Sequence, residues 1–376
     1  MYLNQLNDAI AYAEKNGSFN KINLIEQAEN VCVFGLGTYF KEAFASQKMK
    51  EKYHVNLLCD NDSSKWGNEY EGIKCVNPEE LKEYKNLVVI IMMGNPIPVQ
   101  KQLASMGIIS MSHNDLMLDD IMELPRSQEW FLKEEEKIRT VYGLFEDNSS
   151  KMVYVNGLCN RIAPPISKAL WDELYTSEAQ YFNQKYFGFT KNEVYVDCGA
   201  YTGDTIIEFC KIVEEYDKIF GFELDRNNFV QMRQNVTGLG ENIVLYNYGV
   251  WNENKQIDYG IGTSDNEPAG GISIYKTEES KNNDIQKGQV VRLDDILKDE
   301  RISFIKMDVE GSEKCALLGA ESIIRKQNPK LAICVYHKTS DFWEIPLLLK
   351  KFNQEYKFAL RHHMKQNCNE TVIYAY

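Results

Sequence analysis

One local pattern occurs twice in the chain, and it restricts the fold more than any other feature. An apolar stretch runs into a glycine loop, a helical stretch follows, and a second apolar stretch ends on an acid. The first copy is Val31-Cys-Val-Phe-Gly-Leu-Gly37, closing at Val55-Asn-Leu-Leu-Cys-Asp60. The second is Val194-Tyr-Val-Asp-Cys-Gly-Ala-Tyr-Thr-Gly203, closing at Ile219-Phe-Gly-Phe-Glu223. Each reads as a βαβ opening, which demands a parallel sheet covered by helices. Two such openings far apart in 376 residues predict two α/β domains. We expect a Rossmann-like domain over 1–115 and a mostly helical connector over 116–190, broken at Pro164-Pro165. A larger α/β domain over 191–376 follows, ending in a hairpin of Tyr356–Arg361 and Thr371–Ala375. SDNEPAGG, residues 264–271, is turn-rich and reads as a mobile loop.

Composition narrows the class. The formal net charge is -13 and no Lys/Arg run forms a basic stripe, which argues against nucleic acid as a partner. The N-terminus has no basic segment leading into an apolar core, so it does not read as a signal peptide. The longest apolar runs, such as Leu87–Met93, are far too short to span a bilayer. The nine cysteines are scattered without a Cys-x-x-Cys pair, as reduced thiols of a cytoplasmic protein would be.

The second glycine loop carries the stronger ligand signal. Its strand delivers Asp197 to the C-terminal edge of the sheet, where open α/β folds bind ligands. Gly199 permits a sharp turn, and Gly203 lets the next helix start close to the strand. An acid at 197 is awkward for pyrophosphate and suits a cation, such as the ammonium and sulfonium of S-adenosylmethionine. A carboxylate at Glu223 can accept from both ribose hydroxyls, a property dinucleotides would use equally.

The segment Ile305-Lys306-Met-Asp308-Val-Glu310-Gly311-Ser-Glu313 is the most informative. Alternate strand residues share a face, so Lys306, Asp308 and Glu310 point one way. Charges closing an apolar strand must be functional or tightly paired, because burying them alone is costly. His337 ends the next strand, LAICVYH, and is the best placed of the five histidines for proton transfer. A metal near Asp308 and Glu310 is left open, but the carboxylates and His337 have no metal-specific spacing, and no residue is assigned as a ligand.

Taken together, VDCGAYTGDT, Phe222-Glu223, VRLDDIL, IKMDVEGSE, the LLGA of Leu317–Ala320 and the YHKTSDFWEIPLLL run resemble the FkbM-type methyltransferases. The resemblance reaches from about Thr140 to the end, since GLFEDNSSKMVYV and AQYF are similar to the family's helical lead-in. It implies a class I (Rossmann-like) fold and an S-adenosylmethionine-dependent O-methyltransferase. The implied acceptor is a hydroxyl of a sugar, nucleotide-sugar or glycan, in the setting of polysaccharide biosynthesis. Mapped onto this sequence, the cofactor contacts fall on Asp197, Gly199, Ala200, Tyr201, Gly203, Glu223, Leu224 and Asp308. The catalytic roles fall on Asp308, Glu310 and His337. Tyr201 replaces the family's usual amide and Leu224 the proline of its common FEP. The rival expectation is a non-catalytic binding protein for a nucleotide-sugar or cofactor on the same fold.

The first glycine loop, Gly35-Leu-Gly37, has Phe40 where a dinucleotide fingerprint places its third glycine. Asp60 lies where a ribose-binding acid would. A structural or interaction module is the first expectation for this domain, nucleotide-sugar binding the second, and an NAD oxidoreductase the third.

Overall fold

The computed structural model describes residues 2–376 except 17, 18, 20, 46, 114, 115, 117–126, 164–166, 214, 262–271 and 274–284. Both SDNEPAGG and Pro164-Pro165 lie outside the described residues. The chain forms two compact units. One contains Met1–Glu135, Val155–Tyr175 and Met364–Cys368, and the other Glu136–Tyr154, Thr176–His363 and Asn369–Tyr376. The stretch 116–190 therefore contributes to both units.

The first unit is built on six strands: β1 (Asn30–Phe34), β2 (Leu57–Cys59), β3 (Glu69–Tyr70), β4 (Ile73–Val76), β5 (Leu87–Ile91) and β6 (Ile109–Ser112). Their order is β3-β4-β2-β1-β5-β6, and only β3 runs antiparallel to its neighbour. Every residue of β2 and β5 is buried. That is why LVVII shows no alternation: a parallel strand covered on both faces has no wet side.

The second unit carries β7 (Val194–Cys198), β8 (Lys218–Phe222), β9 (Ile243–Tyr246), β10 (Gly249–Val250), β11 (Lys255–Ile261), β12 (Ile272–Ser273), β13 (Ile285–Val291), β14 (Phe304–Met307), β15 (Lys330–Cys334), β16 (Phe358–His362) and β17 (Thr371–Ala375). The main sheet has the order β16-β17-β15-β14-β7-β8-β9, and β10-β13-β11-β12 form a small second sheet. β7, β8, β9, β14 and β15 are mutually parallel, while β17 and β16 form the expected antiparallel hairpin. From β7 the chain moves outward to β8 and β9, then returns to place β14 on the other side. This reversal opens a crevice beyond the C-terminal ends of β7 and β14, the usual ligand position in such sheets. Rings of Tyr195, Phe209 and Phe304 stack under it, with Phe182 edge-on. They form a rigid floor for the loops above.

Candidate active site

Four loops meet at the crevice, and each continues a buried strand. β7 leads into Gly199-Ala200-Tyr201, β8 into Glu223, β14 into Asp308-Val309-Glu310-Gly311, and β15 into Tyr336-His337.

The first two loops are tied by Glu223, which is almost fully buried. Its Oε2 accepts from the Tyr201 N–H at 2.8 Å and its Oε1 from the Asp225 N–H at 2.8 Å. Asn247 Nδ2 clamps the carbonyls of Glu223 and Leu224. Burial pushes the Glu223 carboxyl up to about 7, against the pull of those backbone donors. Each oxygen has only one donor, so a lone pair on each is left for a ligand hydroxyl. This arrangement fits the hydroxyls of a ribose. Tyr201 takes a left-handed conformation at φ 48°, and Ala200 is fully buried.

Three expectations are corrected in detail. Asp197 is not open to a ligand cation. It is fully buried, 3.1 Å from Lys306 Nζ, and accepts a hydrogen bond from Thr205 Oγ1. Lys306 Nζ also donates to the Gly199 carbonyl at 2.7 Å, so one ammonium holds both ends of the turn. Desolvation opposes this charge, but Asp197 and Asp308 beside it raise Lys306 above its ordinary value. Gly203 makes room for another helix rather than for the strand: a Cβ there would lie 2.9 Å from Val236 Cγ1. The side chain of Leu224 lies over β10 and β13, since a Cβ on Gly288 would come within 2.4 Å of its Cδ1. Gly199 is indispensable for a reason the sequence did not show. At φ +77° a Cβ would sit 1.8 Å from the Asp308 carbonyl oxygen, so this glycine is what lets the two loops touch.

The acids of the third loop surround His337. Asp308 accepts from Tyr181 Oη at 3.0 Å and from Tyr336 Oη at 3.1 Å. Burial alone would raise its carboxyl, yet His337 and Lys306 outweigh it and hold Asp308 below the ordinary carboxylate range. His337 Nε2 lies 3.3 Å from Glu310 and 3.6 Å from Asp308, and Nδ1 lies 2.9 Å from Glu313. Desolvation disfavours the imidazolium, but Glu313 and Glu310 raise His337 well above its ordinary value. These carboxylates favour the imidazolium, whereas a general base must start neutral. Asp308, Glu310 and His337 are brought together as expected.

Tyr181, Tyr336, Glu313 and Asp341 were not singled out for roles. Tyr336 stands next to His337, and Tyr181 is part of the AQYF lead-in. Neither position signals that its hydroxyl reaches Asp308.

In the first unit, Asp60 is similarly committed. Its Oδ2 accepts from the Leu36 N–H at 2.7 Å and lies 2.8 Å from Lys65 Nζ. Here the strand-end acid secures the glycine loop itself.

The switch-point crevice, the glycine turn and the strand-end acid define the second unit as a class I, S-adenosylmethionine-dependent methyltransferase domain. More particularly, residues 197–363 match the family described as the methyltransferase FkbM domain. Residues 27–112 match a different family, described as C2185-like, N-terminal. No curated protein matches the sequence. Among solved structures, the methyltransferase FkbM from Methylobacillus flagellatus KT is 20% identical, covers 100% of this chain and 100% of its own, and has a TM-score of 0.68. Fibrillarin from Aeropyrum pernix, solved with natively bound S-adenosyl-L-methionine, is 11% identical over 50% of this chain and 70% of its own, with a TM-score of 0.33. An rRNA methylase from Streptococcus thermophilus is 15% identical over 49% of this chain and 86% of its own, at 0.31. The chain is an enzyme, a methyltransferase. Among the described residues no helix is long and apolar enough to cross a membrane.

Proposed function

We propose that the enzyme methylates a hydroxyl of a sugar, nucleotide-sugar or glycan. The observation that carries this reading is Asp308. It is an ionised carboxylate at the end of a central strand, oriented by two tyrosine hydroxyls and ready to accept from an alcohol O–H. Bound S-adenosylmethionine supplies an electrophilic methyl group on its sulfonium. Glu223 would hold the ribose hydroxyls, with Gly199, Ala200 and Tyr201 shaping the adjoining turn. Asp308 aligns the acceptor hydroxyl and takes its proton, which passes on to solvent. The oxygen's electron pair forms the new O–C bond as the C–S bond breaks. Fixing this line of approach is the main contribution of the site, because orientation removes much of the entropic barrier. Nine free cysteines agree with a cytoplasmic setting.

The acceptor class is tested by supplying labelled cofactor with panels of sugars, nucleotide-sugars, proteins and RNA. Label is expected in the carbohydrate panels. Label in protein or RNA alone refutes the carbohydrate acceptor.

The role of Glu223 predicts a pH dependence. Ribose hydroxyls donate to the ionised carboxylate, and its carboxyl lies at about 7. Affinity for S-adenosylhomocysteine should therefore fall by about tenfold per unit as the pH drops below this value, and level off above it. Glu223→Gln should bind weakly at all pH values, with no such step. Calorimetry at pH 6 to 8 checks this, and an unchanged step in the variant would remove Glu223 from the ribose.

A further inference from the structure

The third loop turns through two successive left-handed residues, Glu310 at φ 53° and Gly311 at φ 85°. Such a backbone is costly for glutamate and persists only where surrounding contacts enforce it. Its effect is to swing Asp308, Glu310 and Glu313 toward one imidazole. One ligand atom each from Asp308, Glu313 and His337 lies within 4.8 Å of the other two. Glu313 is fully buried. Its Oε1 receives the Val309 and Gly311 N–H groups, while its Oε2 has no hydrogen-bond partner. His337 Nδ1 lies 2.9 Å from Glu313 and Nε2 3.3 Å from Glu310, so the ring is held between carboxylates on both sides. Ordinary ion pairing would not leave a fully buried carboxylate oxygen orphaned.

Charge points the same way. Three carboxylates, of Asp308, Glu310 and Glu313, stand against His337, while Lys306 is shared between Asp197 and Asp308.

We propose that Asp308, Glu313 and His337, the last giving up its imidazolium proton, bind a divalent cation of the Mg²⁺ or Mn²⁺ kind. Oxygen donors dominate the set, a single imidazole completes it, and no thiolate is present, which favours hard cations. Glu310 is the most exposed carboxylate of the group and stands outside this set. This binding does not depend on which acceptor is used.

The test uses the full-length protein, stripped of metal with a chelator and titrated with Mn²⁺ while free Mn²⁺ is followed by its paramagnetic resonance. One ion per chain is expected. Glu313→Gln and His337→Ala should each weaken binding by about 10–100-fold or more, the scale seen when metal-site residues are removed. Electron spin echo modulation of the wild-type complex should show coupling to an imidazole nitrogen, a readout that needs no variant to fold. The site is refuted if the wild type takes up no Mn²⁺ at millimolar concentration. It is equally refuted if binding persists unchanged in both variants or if no nitrogen coupling appears.

Discussion

Replacing Lys306 by methionine is expected to lower the unfolding free energy by about 3–5 kcal/mol, the cost of removing one partner of a buried ion pair. The pair meets the conditions for so large a value. Lys306 is 3% exposed and Asp197 0%, and no other cation reaches the carboxylate among the ion pairs of the described residues. Methionine keeps the volume of the lysine stem, so packing against the Tyr181 ring is largely retained and the loss is electrostatic. It also frees the Gly199 carbonyl, and the turn should loosen with the fold. The double variant Lys306→Met with Asp197→Leu should recover most of the loss, since two matched apolar groups replace two matched charges. Denaturant unfolding of the three proteins decides the matter. A single variant as stable as the wild type would mean that Asp197 has no need of Lys306.

Asp308→Asn is expected to reduce turnover by about 10²–10⁴-fold, the usual contribution of a positioned proton acceptor. Affinity for S-adenosylhomocysteine should change little. Asparagine is nearly isosteric but can no longer accept at both positions, so one of the Tyr181 and Tyr336 hydroxyls loses its partner. Comparing kcat with cofactor affinity, using the acceptor found by labelling, separates catalysis from assembly of the site. Lost cofactor binding with intact turnover per bound cofactor would make Asp308 part of the cofactor pocket instead.

Much of this architecture is legible in the sequence because its signals are local. A buried parallel strand is a short unbroken apolar run, as in LVVII and VYVDC. A strand that turns into a ligand loop carries glycine and then an acid. Period-two alternation in IKMDVEG placed Lys306, Asp308 and Glu310 on one side, and all three do reach the crevice. The closing hairpin was visible for the same reason. In the first unit, Asp60 looked like a ribose acid because a loop-securing carboxylate and a ribose-binding one occupy the same position. Only partners differ, and Lys65 and the Leu36 N–H are the partners here.

What sequence alone determined was the pair of βαβ openings, the methyltransferase class and the set of charged residues at the sheet edge. The tertiary structure decided which of those charges satisfy one another. Register brings Lys306 beside Asp197, which turned an apparent cofactor contact into the internal brace of the glycine turn. Strand order brings Tyr181 and Tyr336 onto Asp308, and the left-handed turn at Glu310-Gly311 encloses His337 in carboxylates. The physical reason is that a buried charge takes its state from whatever lies within a few ångströms of it. Those neighbours come from distant strands, so no local pattern records them.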